Sequence, residues 1–286
     1  MLGQEAVGQT CLVRDTQAAD SGLRVVQQLD LRSQDASLSA FGQTLLLHRA
    51  QTVQDLFDSL PQTGTLHSYF ADSSAFYVVQ ALIRGVSWGR QTVNGGLPER
   101  QRQVLTLLHN MLPLLAQVYS HGLKSCCLYP NDIVWQPTHS RCVWTGMGIF
   151  KAISHQIRQT EAPRTDFFPG DSQAYFSPEF HQGQFHPGSD LYTLGMVSIQ
   201  TLLQQPLSAW VQPDGDRLTV SPDWHRSIDL SNGWIRLLDG LVHRQPEQRY
   251  TSPLTVLKDL QDLAPALTQP FAQNSTARHM VQRVVS

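Results

Sequence analysis

The chain has 286 residues, 41% of them hydrophobic and 15% charged, and a formal net charge of −2. That is enough apolar material for one large domain or two lobes, and it excludes a disordered chain. Nucleic acid and anionic membrane both call for a clustered basic surface, so neither is an expected partner.

The first eighty residues run as short strand-like segments rich in β-branched and aromatic residues: CLVRD (11–15), LRVVQQL (23–29), LHSYF (66–70) and AFYVVQALI (75–83). Turn chemistry such as Ala19-Asp20-Ser21-Gly22 separates them. Together they predict a small, mainly antiparallel sheet. Between the second and third segments, residues 40–60 place Leu46, Ala50, Val53, and Leu56 or Phe57, at helical spacing. One helix therefore interrupts the sheet.

After Gly85 the pattern becomes helical. Val104, Leu107, Leu108, Met111, Leu115 and Val118 fall at i, i+3, i+4 intervals between Leu97 and His121, with Pro98 near the start and Gly122 past the end. This predicts a long core helix that Pro113 should kink. SDLYTLGMVSIQTLL (189–203) is apolar almost all round and predicts a helix buried on most faces. NGWIRLLDGLV (232–242) and SPLTVLKDLQDL (252–263) predict two further amphipathic helices, and the tail after Pro270 is polar and unpatterned. The fold class is α+β: a β-rich lobe with one main helix over 1–84, a larger helical lobe over 85–266, a tail over 267–286, and a ligand-sized cleft between the lobes.

Cys11, Cys126, Cys127 and Cys142 make no CxxC pair or regular framework, and two of them are neighbours that could close only a strained ring. No apolar run reaches the roughly 20 residues of a membrane span, and MLGQEAVGQT has neither the basic start nor the apolar stretch of a signal peptide. Reduced thiols and a cytoplasmic location are the expectation.

From about Gly3 to Leu263 the chain resembles the protein kinase family, in particular bacterial Ser/Thr kinases of eukaryotic type. AYFSPEF (174–180) is similar to the end of an activation segment, SDLYTLG (189–195) to the core helix after it, and RQPEQRY (244–250) to the Arg-bearing turn near the C-terminus. FYVVQALIRG (76–85) resembles the last strand and hinge of the small lobe, with Gln80 as gatekeeper and Ala81, Leu82 and Ile83 as hinge. KSCCLYPNDIVW (124–135) then falls on the catalytic loop, family pattern HRDxKPxN, in the register of Pro130, Ile133 and Val134.

The resemblance implies a fold kept and a chemistry removed. Phosphoryl transfer depends on charges positioned around the phosphates, and here those positions are altered one by one. In the catalytic loop Ser125 stands for His, Cys126 for Arg, Cys127 for the Asp that receives the substrate proton, Tyr129 for Lys and Asp132 for the metal-binding Asn. The phosphate loop keeps Gly3 and Gly8 but has Glu5 in place of a glycine. Gln27 replaces the strand Lys, Arg49 its helix Glu partner, and Gly146 the metal carboxylate of the DFG triplet, which reads Gly146, Met147, Gly148. Each loss of preorganised electrostatics removes a factor of about 10² to 10³, and the groups cooperate.

Glu179 and Arg249 match the buried ion pair that ties the activation segment to the large lobe, and Asp190 matches the core-helix carboxylate that accepts hydrogen bonds from the catalytic-loop backbone. Met147 and Val53 match two members of the inter-lobe apolar stack, and Trp88 aligns near the floor of the adenine pocket, where it could fill part of that space. Cys126 and Cys127 read as small apolar fillers before they read as nucleophiles or metal ligands. Asp132 alone is a poor Mg²⁺ site, and Arg49 suits a solvated helix face.

The expectation is a catalytically silent kinase-like domain with no cofactor and no metal. Its partner would be another protein, such as an active kinase or signalling protein, with no nucleic acid and no membrane insertion. The rivals are a residual or atypical nucleotide-binding kinase or transferase, and a small-ligand sensor that uses the cleft without catalysis.

Overall fold

The computed structural model describes residues 3–5, 8–17, 22–30, 36–60, 62–72, 74–91, 93–123, 125–150, 174–180, 186–214 and 217–263. The tail over 267–286 and most of the turn at Ala19-Asp20-Ser21 lie outside them. The small lobe is an antiparallel five-stranded sheet made of β1 (Gly3–Glu5), β2 (Gly8–Arg14), β3 (Leu23–Asp30), β4 (Leu66–Ala71) and β5 (Ala75–Ala81), in the order β1-β2-β3-β5-β4. The α1 helix (Ala36–Ser59) enters between β3 and β4.

Alternation along β3 and β5 decides what each face meets. In their register Leu29 pairs with Phe76, Gln27 with Val78 and Val25 with Gln80, so these six residues share one face. At one end of that face Leu29, Phe76 and Val78 are fully buried together with Leu46, Ala50, Val53 and Leu56 of α1. At the other end the face carries Gln27 and Gln80. The opposite face of the sheet leaves Phe70 half exposed, stacked on Tyr77 with ring centroids 4.9 Å apart.

The large lobe is built on α2 (Leu97–Ser120) and α3 (Pro187–Leu203), with α4 (Asn232–Leu241) and α5 (Pro253–Leu263) packed around them. α3 is buried on nearly every side: Leu191, Tyr192, Leu194, Met196 and Ile199 are fully enclosed. α2 is one helix that contains Pro113 in its interior, at the position where a kink is expected. A three-stranded sheet of β6 (Val86–Ser87), β7 (Ile133–Gln136) and β8 (Arg141–Trp144) lies where the lobes meet, and a hairpin of β9 (Val211–Asp214) and β10 (Arg217–Val220) projects beyond α3.

Residues 174–180 are fastened to this helical body by a buried ion pair. Arg249 donates from Nη1 to Glu179 Oε1 at 2.6 Å and from Nη2 to Oε2 at 3.2 Å, and its side chain is fully enclosed. The rest of the guanidinium is also engaged: Nε donates to the His243 carbonyl, Nη1 to the Gly188 carbonyl, and the group lies 5.0 Å from the Tyr192 ring centroid. Ser189 Oγ donates to Glu179 Oε1 at 2.8 Å. Burial alone raises the Glu179 carboxyl, but the Arg249 hydrogen bonds and charge outweigh it and lower the pKa from 4.5 to about 2.

Two outcomes follow from this clamp. Arg249→Ala leaves a buried carboxylate without its counter-charge and should destabilise the protein by about 3 to 5 kcal/mol. Cys127→Ala should cost only about 1 kcal/mol; urea unfolding of the two variants measures the contrast. The Glu179 pKa is lower in the folded than in the unfolded chain. Its stabilisation is therefore complete above about pH 4.5 and is lost as pH falls through about 2. The stability difference between the parent chain and Glu179→Gln should accordingly shrink across that acid range, as read from urea midpoints along a pH series.

Candidate functional site

The β7–β8 hairpin brings two distant stretches together. Residues 125–132 lead into β7 and residues 145–148 leave β8, and the Thr145 amide donates to the Asp132 carbonyl at 2.9 Å. Facing them across a cleft of about 240 Å³ is the lower end of the small-lobe sheet. Thr10, Val25 and Gln27 line one wall; Gln80, Ala81, Leu82 and Ile83 line the back; Asn131, Asp132, Val134, Thr145 and Met147 line the other wall. The hinge residues expected from sequence thus border the same space as Gln27, Asp132 and Met147.

The polar groups of the cleft are mostly tied to the protein. Gln80 is 4% exposed and donates from Nε2 to the Thr145 carbonyl at 2.6 Å, which links β5 to the stretch after β8. Asp132 is buried, and its Oδ1 accepts a 3.3 Å hydrogen bond from Thr145 Oγ1. Asn131 is exposed and its Oδ1 accepts from Ser87 Oγ at 2.8 Å. Gln27 differs: it is 4% exposed and its amide oxygen has no hydrogen-bond partner. Arg49 is half-buried on α1, does not line the cleft and has no ion-pair partner among the described residues. In β1, Glu5 stands opposite Gly8 of β2, and Gly3 opposite Thr10.

Gly146 occupies a position that few other residues could take. Its φ is +73°, in the left-handed region that glycine enters without steric cost. A Cβ there would lie 2.3 Å from Cζ of Phe57. The Phe57 ring, itself set edge-on to Trp144 at 5.7 Å, therefore fills the volume into which a side chain at 146 would extend. Two residues later, a Cβ on Gly148 would come within 2.1 Å of the Cys127 carbonyl oxygen. That close approach holds the triplet against the loop. The chain then forms a helical turn over 147–150 that buries Met147, Ile149 and Phe150, and the Phe150 ring packs 5.9 Å from Phe76. Met147 and Val53 belong to one core cluster.

Asp190, on α3, organises the loop at 125–132. Its Oδ2 accepts from the Cys126 amide at 2.7 Å and from Tyr119 Oη at 2.9 Å, and its Oδ1 accepts from the Leu128 amide at 2.9 Å and from Ser125 Oγ at 3.1 Å. Burial pushes its carboxyl up, and these four donors pull the other way. Between the two bonded amides, Cys127 adopts φ +48°. Burial also raises both thiols, Cys126 and Cys127, above the ordinary range, which disfavours the thiolate needed for nucleophilic or metal chemistry.

Beside Cys127 lies a group of aromatic rings. Tyr129 stacks on Phe176 at 5.9 Å, Phe176 on Phe180 at 4.5 Å, and Tyr129 meets Tyr175 edge-on. This group joins the loop to residues 174–180 by apolar contact. One sequence expectation is corrected here. Trp88 does not line the cleft: its indole N–H donates to Thr201 Oγ1 of α3 at 3.0 Å and its ring meets Trp135 edge-on, so it is anchored in the large lobe. A buried indole N–H needs an acceptor, and α3 supplies one. The part played by Phe57 was not singled out from sequence; its helical spacing from Val53 was the available signal.

No protein-family model matches the chain. It is 25% identical over 279 residues to serine/threonine-protein kinase D of Synechocystis sp., an alignment that covers 97% of this chain and 54% of the relative. It is 25% identical over 262 residues to serine/threonine-protein kinase PknA of Nostoc sp., covering 91% and 46%. Serine/threonine-protein kinase C of Synechocystis sp. is 22% identical over 261 residues, covering 91% and 48%. The chain thus spans about half the length of the curated relatives it matches.

Gly146→Asp should destabilise the fold. The left-handed backbone costs a non-glycine residue about 1 to 3 kcal/mol, and the overlap with Phe57 adds to that. The variant should unfold at lower urea than the parent, and Phe57→Leu in the same chain should recover part of the loss.

Proposed function

We propose that this chain, which belongs to the protein-kinase-like family, is a catalytically silent domain that recognises another protein and does not transfer phosphate. The observation that carries the reading is Gly146. In the family's pattern this position supplies the carboxylate for the principal metal ion; here it is a left-handed glycine with the Phe57 ring against it. Gln27 in place of the strand Lys and Cys127 in place of the proton acceptor support the same conclusion. Three members of one charge constellation are replaced by uncharged groups, and transfer relies on such groups acting together.

The scaffold is a different matter. Glu179, Arg249 and Asp190 carry buried charges whose partners are all in place, and the aromatic stack around Phe176 adds apolar contact. Such a segment can act as a binding surface without phosphorylation to order it. We assign the partner to the proteins, an active kinase or another signalling protein, and the location to the cytoplasm. A residual phosphotransferase is the second reading; the relatives' names favour it, because each is called a serine/threonine kinase.

Purified protein incubated with Mg²⁺ and γ-labelled ATP should label neither itself nor generic Ser/Thr substrates above a no-protein control. Heat-labile labelling by protein free of contaminating kinase would establish the second reading instead. Calorimetry should find Mg-ATP binding no tighter than millimolar, since no cation among the described residues lines the cleft.

A further inference from the structure

We propose that the partner docks on the outer side of the lobe junction, around Arg84, Arg90 and Arg141, and that it does so with an acidic, extended protein segment. This rests on the protein-recognition reading above and adds to it the surface and the chemistry of the partner. The first observation is charge. Over residues 74–150 the sequence has six Lys or Arg and two Asp or Glu, against fifteen and twenty-one in the rest of the chain. The stretch is therefore positive in an otherwise negative protein. Neither carboxylate is available to these three arginines: Glu99 is paired with Arg102, and Asp132 is buried beside Thr145.

The second observation is placement. The connection from β5 to α2, over 82–96, carries Arg84 and Arg90 and no acidic residue. Arg84 follows the hinge residue Ile83 and lies outside the cleft. Gln136, at the end of β7, ties Arg141 to it: Nε2 donates to the Arg84 carbonyl at 2.9 Å, and Oε1 accepts from Arg141 Nε at 2.7 Å. Arg90 ends the single turn Trp88–Arg90, whose Trp88 ring meets Trp135 of β7 edge-on and whose Gly89 lies against Asn131, just before β7. The arginines thus stand near the two ends of a four-residue strand, about 13 Å long. All three are exposed, and none has a carboxylate partner among the described residues. Guanidinium groups without a counter-charge suit carboxylates, which they can bind through two N–H groups at once.

The third observation separates protein from other polyanions. Val86, on the edge strand β6 and between Arg84 and Arg90 in sequence, is 45% exposed, an apolar contact of no use to a phosphate backbone. Nucleic-acid surfaces of useful affinity neutralise about 6 to 10 phosphates, more than three arginines can meet. An extended segment covers the length of β7 in about four residues, so acidic residues spaced that far apart, with an apolar residue between them, match the surface.

The test is a fluorescence anisotropy titration of the full chain with a labelled peptide of Glu residues around one Leu, with the same peptide carrying Gln for Glu, and with a single-stranded RNA. The Glu peptide should bind at least about tenfold tighter than the Gln peptide. Raising salt from about 0.1 to 1 M shortens the screening length from about 10 to 3 Å and should weaken that binding. Arg84→Gln and Arg141→Gln should each lower affinity by a factor of about 1.5 to 5, the worth of one exposed ion pair. Arg84→Glu combined with Arg141→Glu should abolish binding at a parental urea midpoint, since both side chains are exposed; if that chain does not fold, the two Gln variants carry the comparison. No binding of the Glu peptide, equal binding of the Gln peptide, affinity unchanged by the arginine substitutions, or RNA bound more tightly through the same arginines would each overturn the proposal. Phosphate transfer is read separately: its detection would overturn the silent-domain reading and leave the peptide result standing, whereas failure of the peptide leaves that reading intact.

Discussion

A single carboxylate, Asp190, sets the geometry on which the rest of the inter-lobe region depends. It lies on a helix buried on nearly all sides, where an ionised group with too few partners is strongly disfavoured. Four donors meet it, and they come from different places: two amides and a hydroxyl of the loop at 125–128, and the Tyr119 phenol at the end of α2. Satisfying one charge therefore fixes the loop against two helices at once. The left-handed Cys127 backbone lies between the two amides that must point at the same carboxylate, and its carbonyl oxygen then presses on Gly148. Loop, triplet and helix core are consequences of one solvation requirement.

That arrangement does not draw on the side chains at 127 to 129. Asp190 takes main-chain N–H groups, the Ser125 hydroxyl and the Tyr119 phenol, so Cys, Leu and Tyr can occupy positions 127 to 129 without disturbing it. The same separation holds at Glu179 and Arg249, whose hydrogen bonds reach carbonyls, the Ser189 hydroxyl and each other, none of them lining the cleft. A fold held by such bonds can lose its chemistry residue by residue. Around the loop and the triplet the contacts are apolar: the Phe57 ring beside Gly146, and Tyr129 stacked on Phe176.

Most of the architecture was legible in the sequence, for identifiable reasons. The α1, α2 and α3 helices carry long periodic patterns, and their ranges fall within a few residues of expectation. The strands β3 and β5 were visible through β-branched and aromatic density. β6, β7 and β8 were not, because strands of two to four residues offer too little alternation to detect. The β9–β10 hairpin did carry a signal, Asp214-Gly215 between β-forming residues, which is a strong short-range turn pattern. Within the site, the loop positions could be read by register from Pro130, Ile133 and Val134, but the volume at Gly146 could not. Phe57 and Leu56 fit the helical stripe equally well in one dimension, and only the packed structure sends the Phe57 ring to Gly146. Trp88 shows the converse, since alignment placed it by its distance from the hinge while its direction was decided by Thr201.

The burial of three of the four cysteines has a use beyond packing. Cys126, Cys127 and Cys142 are enclosed and burial raises each thiol, while Cys11 lies on β2 and is half-exposed. Alkylating reagents attack the thiolate and need access, so the three enclosed sulfurs can react only when the surrounding structure opens. Cys126 and Cys127 sit on the loop held by Asp190, and Cys142 on β8. The chain thus carries built-in reporters of local opening, and the rate of their modification, compared with that of Cys11, measures how often the structure around the loop and β8 opens.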